Sequence, residues 1–206
     1  MKLKKYSSWN IFYKKNNGND YPNNFIIKII LSFYKKLKYS DRKKIKVLDL
    51  GSGTGSNFFF LIEQNFNASA LDFSEKAIDK LKFKIRKKKL KINNKNIKVG
   101  LFENLPFKDK NFNAIIDCTS LQHCKKKHVE KAFAEISRVM KKNGLFLSIY
   151  EKSRNNRSFY SNVYGIENLK KLIQKDFKNI NIGNINYNFG AKNIKESFYI
   201  IQCQKK

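Results

Sequence analysis

The stretch Val47-Leu48-Asp49-Leu50-Gly51-Ser52-Gly53-Thr54-Gly55-Ser56-Asn57 decides the fold of this chain. The apolar run at 45–48 predicts a short buried strand, and residues 57–64 predict a very apolar helix. Three glycines at alternate positions make a tight turn between them, because glycine tolerates positive φ and lets a ligand approach the backbone. Such a turn aims backbone N–H groups toward the helix N-terminus, which suits an anionic or strongly polar ligand.

The glycine spacing separates two kinds of cofactor-binding turn. The dinucleotide fingerprint G-x-G-x-x-G has its third glycine at the sixth position, where Ser56 stands in this chain. The spacing here is G-x-G-x-G, and an acid, Asp49, lies two positions before Gly51. An ordinary glycine-rich turn of an α/β domain is the alternative interpretation.

Strands alternate with helices along the chain, and this order predicts the fold class. A second strand is predicted at 68–72, a helix begins at Ser74, and another helix spans 129–140 and is closed by Lys142-Asn143-Gly144. Residues 151–164 read as a polar loop, and the last two strands are joined by a hairpin-like loop. The pattern predicts an α/β fold with a seven-stranded, mostly parallel sheet, helices on both faces and an antiparallel C-terminal edge strand.

The net charge of +28 has two possible explanations. A basic surface can bind nucleic acid through phosphate contacts. The chain is also rich in Lys, Asn, Ile, Phe and Tyr, whose codons can consist of A and T alone, so the charge can reflect composition drift. Arginine, the favoured residue for phosphate recognition, occurs only at Arg42, Arg86, Arg138, Arg154 and Arg157. Drift is therefore the favoured explanation, and nucleic-acid binding stays an alternative.

The cysteines indicate a reducing compartment. Cys118, Cys124 and Cys203 are odd in number and irregularly spaced, unlike a disulfide framework. Together with His123 and His128 they also fail the spacing of zinc ligand pairs, so no metal site is predicted. The basic N-terminus is not followed by an apolar signal region, and no apolar run has transmembrane length. We expect a cytoplasmic protein with no membrane span, and the sequence leaves the oligomeric state open.

The second predicted strand ends in a polar group that suits a nucleoside. The second strand ends on Asp72, about twenty residues beyond the glycine turn, where a carboxylate can accept hydrogen bonds from both ribose hydroxyls. The loop Gly100-Leu101-Phe102-Glu103-Asn104-Leu105-Pro106-Phe107 follows the third predicted strand. An acid that only begins the next helix is the alternative role for Asp72, and the two roles are compatible.

These stretches resemble, in the correct order, motifs of the class I S-adenosylmethionine-dependent methyltransferases. The resemblance covers about residues 45–150 and implies a Rossmann-like fold, methyl transfer and S-adenosyl-L-methionine as cofactor. It implies one domain over 1–206, with an N-terminal helical cap at 1–40, the cofactor-binding core at 45–150 and a C-terminal helix and strand pair at 151–206. Where the family commonly has an acid that contacts adenine, this chain has Leu101.

The resemblance also implies roles for single residues. Asp49 faces the ammonium of the cofactor, and the N–H groups of the glycine turn face its carboxylate. Asp72 holds the ribose, Phe73 and Phe102 pack on adenine, and Asp117 faces the transferring methyl group. The cofactor-binding residues implied in this way are Asp49, Gly51, Ser52, Gly53, Gly55, Asp72, Phe73, Leu101, Phe102 and Asp117.

His123 is the candidate catalytic residue. A neutral histidine beside the methyl group can remove a proton from the acceptor. A histidine that only shapes the site or caps the next helix is the favoured alternative, because proximity and orientation can carry much of such a reaction.

The sequence supports three hypotheses of function. The leading one is methyl transfer to a small molecule, such as a sugar or another metabolite. An RNA methyltransferase is suggested by the charge, but with only Pro22 and Pro106 the chain lacks the proline motifs of base methylation. A non-catalytic cofactor-binding subunit is the third. Acceptor specificity is expected in residues 1–25 and 151–165.

Overall fold

The computed structural model describes residues 3–124, 126–152, 165–189 and 194–206. Most of the polar loop predicted at 151–164, and the loop predicted between the last two strands, lie outside the described residues. The chain divides into two compact units, Met1–Leu101 and Phe102–Lys206. The expectation of a single domain over 1–206 stays a prediction.

The first unit contains four helices and three parallel strands. Its helices are α1 (Leu3–Lys15), α2 (Asn24–Phe33), α3 (Ser56–Glu63) and α4 (Glu75–Lys87), and its strands are β1 (Lys46–Leu50), β2 (Asn67–Asp72) and β3 (Ile97–Val99). Strand β2 lies between β1 and β3, and its register on β1 runs from Lys46 opposite Asn67 to Leu50 opposite Leu71. The carboxyl ends of β1 and β2 therefore lie side by side.

Local sequence explains the helix boundaries of this unit. The Asn23 side chain caps α2 by accepting the N–H of Phe25 at 2.9 Å, and the Ser74 hydroxyl caps α4 by accepting the N–H of Ala77 at 3.2 Å. Helix α4 has Glu75 in its first turn and lysines in its last, as the helix dipole prefers. Four apolar side chains of α3, those of Phe58, Phe59, Phe60 and Leu61, are buried, as expected for the very apolar helix predicted here.

Among its described residues, the second unit contains two α-helices and four strands. These are β4 (Phe112–Cys118), α5 (Lys126–Val139), β5 (Met140–Glu151), α6 (Ile166–Asp176), β6 (Phe177–Phe189) and β7 (Ile194–Lys205). Strands β4 and β5 are parallel, whereas β7 runs antiparallel to both β5 and β6. With seven strands, parallel pairs in both units and an antiparallel C-terminal pair, the predicted α/β fold is confirmed.

One predicted helix boundary is wrong. Lys142-Asn143-Gly144 does not close α5, because the helix ends at Val139 and the strand β5 begins at Met140. The pairing of Met140 with Phe112 is followed directly by that of Leu145 with Ala114, so residues 141–144 form an irregularity inside the strand. Asn143 there has a φ of +60°. The Asn-Gly pair thus marks a bulge rather than a helix end.

Candidate functional site

The glycine turn after β1 has the conformation that its sequence predicts. Gly51, Gly53 and Gly55 have φ angles of +73°, +54° and +96°. All three lie in the left-handed region, which residues with a Cβ rarely enter. Gly55 also occupies the N-cap position of α3. The turn therefore depends on glycine for its backbone shape, as well as for the space above it.

The N–H groups of this turn already have acceptors within the chain. Those of Gly51 and Ser52 both donate to the carbonyl of Leu71, at 2.7 and 3.0 Å. The N–H of Gly53 donates to Asp72 Oδ2 at 2.8 Å, and that of Gly55 to the carbonyl of Ser52 at 2.9 Å. Three of these N–H groups thus bind the end of β2, and that of Gly55 binds within the turn. The expectation that N–H groups of the turn face a ligand carboxylate stays a prediction.

Two buried acids lie at the carboxyl ends of β1 and β2. Asp49 is 1% exposed and Asp72 is 6% exposed. Asp72 Oδ1 accepts the N–H of Ser74 at 2.8 Å, so both carboxylate oxygens are fixed by backbone donors. Burial raises the pKa of Asp72, and the N–H groups of Ser74 and Gly53 act in the opposite direction. A positive or hydroxyl-rich ligand suits this pair of acids.

The turn also carries a hydroxyl with no partner. Ser52 is 7% exposed, and its Oγ makes no hydrogen bond to any part of the chain that the structure describes. Native proteins rarely bury a polar atom without a partner, so the atom indicates room for a ligand. The two acids and this hydroxyl fit the amino-acid and ribose parts of S-adenosylmethionine.

Apolar groups lie at the end of β3, beside Asp72. The carbonyl of Asp72 accepts the N–H of Gly100 at 3.0 Å, which ties the two strand ends together. Val99 and Leu101 are 45% and 37% exposed, and Phe73 is partly buried. Exposed apolar side chains at this position suit the flat face of a nucleobase.

The sequence analysis missed a contribution from α1. A Cβ added at Gly53 would lie 2.7 Å from Tyr13 Oη, so the Tyr13 hydroxyl sits directly over the glycine turn. The Tyr13 ring stacks on Trp9 with 5.8 Å between centroids and meets Phe12 edge-on. Burial, followed by the negative charges of Asp72 and Asp49, raises the pKa of Tyr13. The phenol is therefore neutral.

The N-terminal segment is attached to the turn and to α4 by side-chain hydrogen bonds. Asn10 Oδ1 accepts the hydroxyl of Ser74 at 2.7 Å, and the hydroxyl of Thr54 donates to the carbonyl of Asn17 at 2.8 Å. Lys84 Nζ contacts Asp20 Oδ1 at 2.6 Å and Thr54 Oγ1 at 3.0 Å. These bonds hold Tyr13 in place. Asn10 and Tyr13 lie about forty or more residues from their partners, so no local sequence signal reveals the contact.

In the second unit, Asp117 is fully buried and organises the turn after β4. Its Oδ1 accepts the N–H groups of Ser120 and Leu121 at 3.0 and 3.1 Å, and its Oδ2 accepts the hydroxyl of Ser148 at 2.6 Å. Burial raises the pKa of Asp117 to about 6, despite these three donors. The structure therefore shows a positioning role for Asp117, and its contact with a cofactor stays a prediction.

The free energy of unfolding is expected to fall as pH rises through the titration of Asp117. The pKa of this carboxyl is 3.8 in an ordinary setting and about 6 in the folded protein, so the folded state binds the proton more tightly. Its stabilisation is complete below the lower value and is lost as pH rises through the higher, by about 3 kcal/mol in total. We expect Asp117→Asn to lack this contribution in denaturant unfolding between about pH 4 and pH 7. If the free energy of unfolding changed equally with pH in the wild type and in Asp117→Asn, the prediction would be wrong.

His123 ends a short 3-10 turn, Leu121–His123, that follows β4. Its backbone N–H donates to the carbonyl of Ser120 at 3.1 Å, and its side chain is partly buried. The adjacent Gln122 is a second residue that the sequence analysis missed. Its amide donates to Glu151 Oε2 at 2.8 Å and accepts the Glu151 N–H at 2.6 Å, which joins this turn to the end of β5. The catalytic role of His123 stays a prediction.

The loop that contains the predicted adenine contacts is held by an arginine. Phe102 is buried, and Glu103 pairs with His128 at 2.9 Å. Arg138 donates to the carbonyls of Leu105 and Phe107 and to the carboxylates of Asp109 and Glu135 at distances of 2.6–2.9 Å. Glu135 Oε2 in turn accepts the N–H of Leu105 at 2.7 Å. One guanidinium thus fixes most of residues 105–109.

Replacing Arg138 by lysine is expected to destabilise the protein by about 2 kcal/mol. A lysine keeps the charge but cannot serve four acceptors in the geometry of a guanidinium, and the carbonyls of Leu105 and Phe107 lose their donor. Urea unfolding measures the change. The matched control is Arg86→Lys, at an exposed position of α4, where we expect a change below about 0.5 kcal/mol. Equal effects of the two substitutions on stability would contradict the role of Arg138 in fixing residues 105–109.

Two searches of the described residues limit other kinds of site. No group of three or more His, Cys, Asp or Glu side chains among these residues could hold a metal ion. None of the helices that the structure describes combines the length and the apolar character needed to cross a membrane.

Solved structures share the fold of this chain. The PH0226 protein of Pyrococcus horikoshii OT3 is 22% identical, with a TM-score of 0.62 and coverage of 87% of this chain and 91% of the other. The YcgJ protein of Bacillus subtilis is 15% identical, with a TM-score of 0.69 and coverage of 89% and 99%. A SAM-dependent methyltransferase of Methanosarcina mazei is 16% identical, with a TM-score of 0.65 and coverage of 84% and 96%. At these identities the likeness shows a common fold.

The family comparison concerns the segment that contains the glycine turn. No curated protein is significantly similar to the sequence. Residues 47–144 match the family described as "Methyltransferase domain". The match spans the glycine turn and both buried acids of the first unit, and β4 of the second. These residues, slightly less than half of the chain, are therefore similar to a methyltransferase domain.

Proposed function

We propose that the chain is a methyltransferase that uses S-adenosyl-L-methionine to methylate a small molecule. The observation that carries the proposal is the pair of buried carboxylates, Asp49 and Asp72, at the carboxyl ends of neighbouring parallel strands around a glycine turn. Ligands of open α/β sheets bind at this end of the strands. When bound, the cofactor supplies a methyl group on a positively charged sulfur.

We assign three parts of the cofactor, the ammonium, the ribose and the adenine, to residues of the first unit. The Asp49 carboxylate, at the end of β1, is assigned to the ammonium group. The Asp72 carboxylate is assigned to the ribose hydroxyls, because backbone donors fix its two oxygens while each retains a second lone pair. Phe73 and Leu101 are assigned to the adenine ring. The chain thereby holds and orients the cofactor, which contributes to catalysis by proximity.

The roles assigned to residues of the second unit rest on the family resemblance. Phe102 is assigned to adenine packing, and Asp117 to the ordering of the turn that carries His123. His123 is the candidate for taking a proton from the acceptor. If the protein also methylates acceptors that lose no proton in the reaction, His123 is not needed as a base and only shapes the site.

The small-molecule acceptor is favoured over RNA by the composition of the basic surface. The run Lys84–Lys91 contains five lysines and one arginine without an acid, but lysine lacks the planar fork that recognises phosphates and bases. RNA stays the second candidate because the net charge of +28 favours polyanions. The cytoplasmic location also stays a prediction.

Two measurements test the proposal. Titration calorimetry with S-adenosylmethionine is expected to show one site, and no detectable binding to the folded protein would refute the cofactor assignment. Incubation with methyl-labelled cofactor and a cell extract, followed by separation of small molecules, RNA and protein, then identifies the acceptor class. We expect label in the small-molecule fraction. Label confined to RNA, with a yield that falls as salt rises, would replace the small-molecule acceptor by RNA.

A further inference from the structure

The amino-acid end of the proposed cofactor presents a problem of charge in this site. It carries a carboxylate, and the two buried acids at the turn, Asp49 and Asp72, are themselves carboxylates. The Lys84 ammonium reaches the turn at Thr54 Oγ1 and is paired there with Asp20. The N–H groups of Gly51, Ser52, Gly53 and Gly55 already bind acceptors in the chain. An anion beside two acids needs hydrogen-bond donors that carry no negative charge. Side-chain hydroxyls are donors of this kind.

Ser52 provides the first of these hydroxyls. Its side chain lies within the glycine turn, is 7% exposed, and has an Oγ without a hydrogen-bond partner in the described part of the chain. A serine hydroxyl carries one donor and can rotate toward a ligand. The buried, unpartnered atom is explained if the ligand supplies its acceptor.

Tyr13 provides the second hydroxyl, from a different element. Its Oη lies over Gly53, so close that a Cβ there would be 2.7 Å away. Among the described residues this oxygen makes no hydrogen bond. The ring is fixed by Trp9 and Phe12, and the helix α1 is tied to α4 by the bond between Asn10 and Ser74. The Tyr13 phenol is therefore a positioned donor rather than a mobile one.

We propose that the hydroxyls of Ser52 and Tyr13 donate hydrogen bonds to the carboxylate of the cofactor's amino-acid end. This inference rests on the proposed function and adds the N-terminal helix α1 to the cofactor site. It also gives a second reason for glycine at position 53, because any side chain there would displace the Tyr13 hydroxyl.

The test compares two ligands that differ in the amino-acid end. S-adenosylhomocysteine has this end, whereas 5′-methylthioadenosine keeps the adenine and ribose but lacks the amino acid. Calorimetry is performed on the wild type, Ser52→Ala, Tyr13→Phe and the double variant. We expect each single substitution to weaken S-adenosylhomocysteine roughly tenfold and to change 5′-methylthioadenosine less than about twofold.

A matched control separates this role from a general effect of removing a tyrosine hydroxyl. Tyr34, at the C-terminal end of α2, is also partly buried, and burial alone raises its pKa, without a nearby acid. Tyr34→Phe is expected to leave both affinities unchanged. Ser52→Ala is expected to leave the apparent melting temperature of the ligand-free protein unchanged, because the hydroxyl has no partner to lose.

The outcomes distinguish the inference from the proposed function. Equal weakening of both ligands, or unchanged binding of S-adenosylhomocysteine by the double variant, would overturn the assignment of the two hydroxyls. Failure of the folded wild type to bind either ligand would overturn the proposed function as well. A loss confined to S-adenosylhomocysteine supports both.

Discussion

The Gly55→Ala variant is expected to unfold with a free energy about 3 kcal/mol lower than the wild type. Gly55 has a φ of +96°, where an alanine is strained. An added Cβ would also collide with Leu81 Cδ1 and lie 3.2 Å from the Phe59 ring. Leu81 is fully buried on α4, so it has little room to move. Strain and overpacking therefore add, and urea unfolding monitored by circular dichroism measures their sum.

The matched control for this prediction is Gly183→Ala. Gly183 lies on β6, its φ is not positive, and a Cβ there would meet no atom within 4 Å. We expect this substitution to change stability by less than about 0.5 kcal/mol, or to raise it slightly because alanine has less freedom in the unfolded chain. A Gly55→Ala variant as stable as the control would show that α3 and α4 can separate at this point.

The Asp72→Ala variant is expected to bind S-adenosylmethionine about 100-fold more weakly, or more, than the wild type. The substitution removes the acceptor proposed for both ribose hydroxyls. It also leaves the N–H groups of Gly53 and Ser74 without their acceptor, which loosens the glycine turn and the start of α4. Calorimetry measures the affinity, and thermal unfolding of the ligand-free variant measures the structural cost separately.

A second variant at position 72 separates the effect of charge from that of structure, and a variant at position 79 is the matched control. Asp72→Asn keeps the shape and one acceptor oxygen, so we expect a smaller structural cost than for alanine with most of the affinity still lost. Asp79→Ala removes an exposed aspartate of α4 whose only described partner is Lys76 at 3.6 Å, and it is expected to leave affinity unchanged. Wild-type affinity in Asp72→Asn would exclude Asp72 from the site.

The correct and incorrect predictions differ in the range of the interactions that decide them. The glycine turn, the N-cap Ser74 and the buried α3 depend on residues within a few positions of one another, and the sequence predicted all three. The end of α5 depends on the pairing of Met140 with Phe112, a partner 28 residues away. That pairing converts Lys142-Asn143-Gly144, which resembles a helix end, into a bulge in β5.

The candidate site shows the same division. Asp49 and Asp72 could be predicted, because an acid at the end of a buried strand before or after a glycine turn is visible in the sequence. The availability of the turn N–H groups could not, since their acceptors, the Leu71 carbonyl and the Asp72 carboxylate, are set by the register of β2 on β1. The three donors around Asp117 likewise come from β5 and from the turn after β4.

The sequence by itself determined the α/β class, the strand–turn–helix at residues 47–57 and the two acids beside it. These features follow from local periodicity and from the backbone freedom of glycine, which operate over a few residues. Only the tertiary structure decided that the N–H groups of Gly51, Ser52 and Gly53 bind the end of β2 and that the Tyr13 hydroxyl of α1 lies over Gly53. Contacts of this kind join residues about twenty to forty positions apart through packing and hydrogen bonds, for which no short stretch of sequence carries a signal.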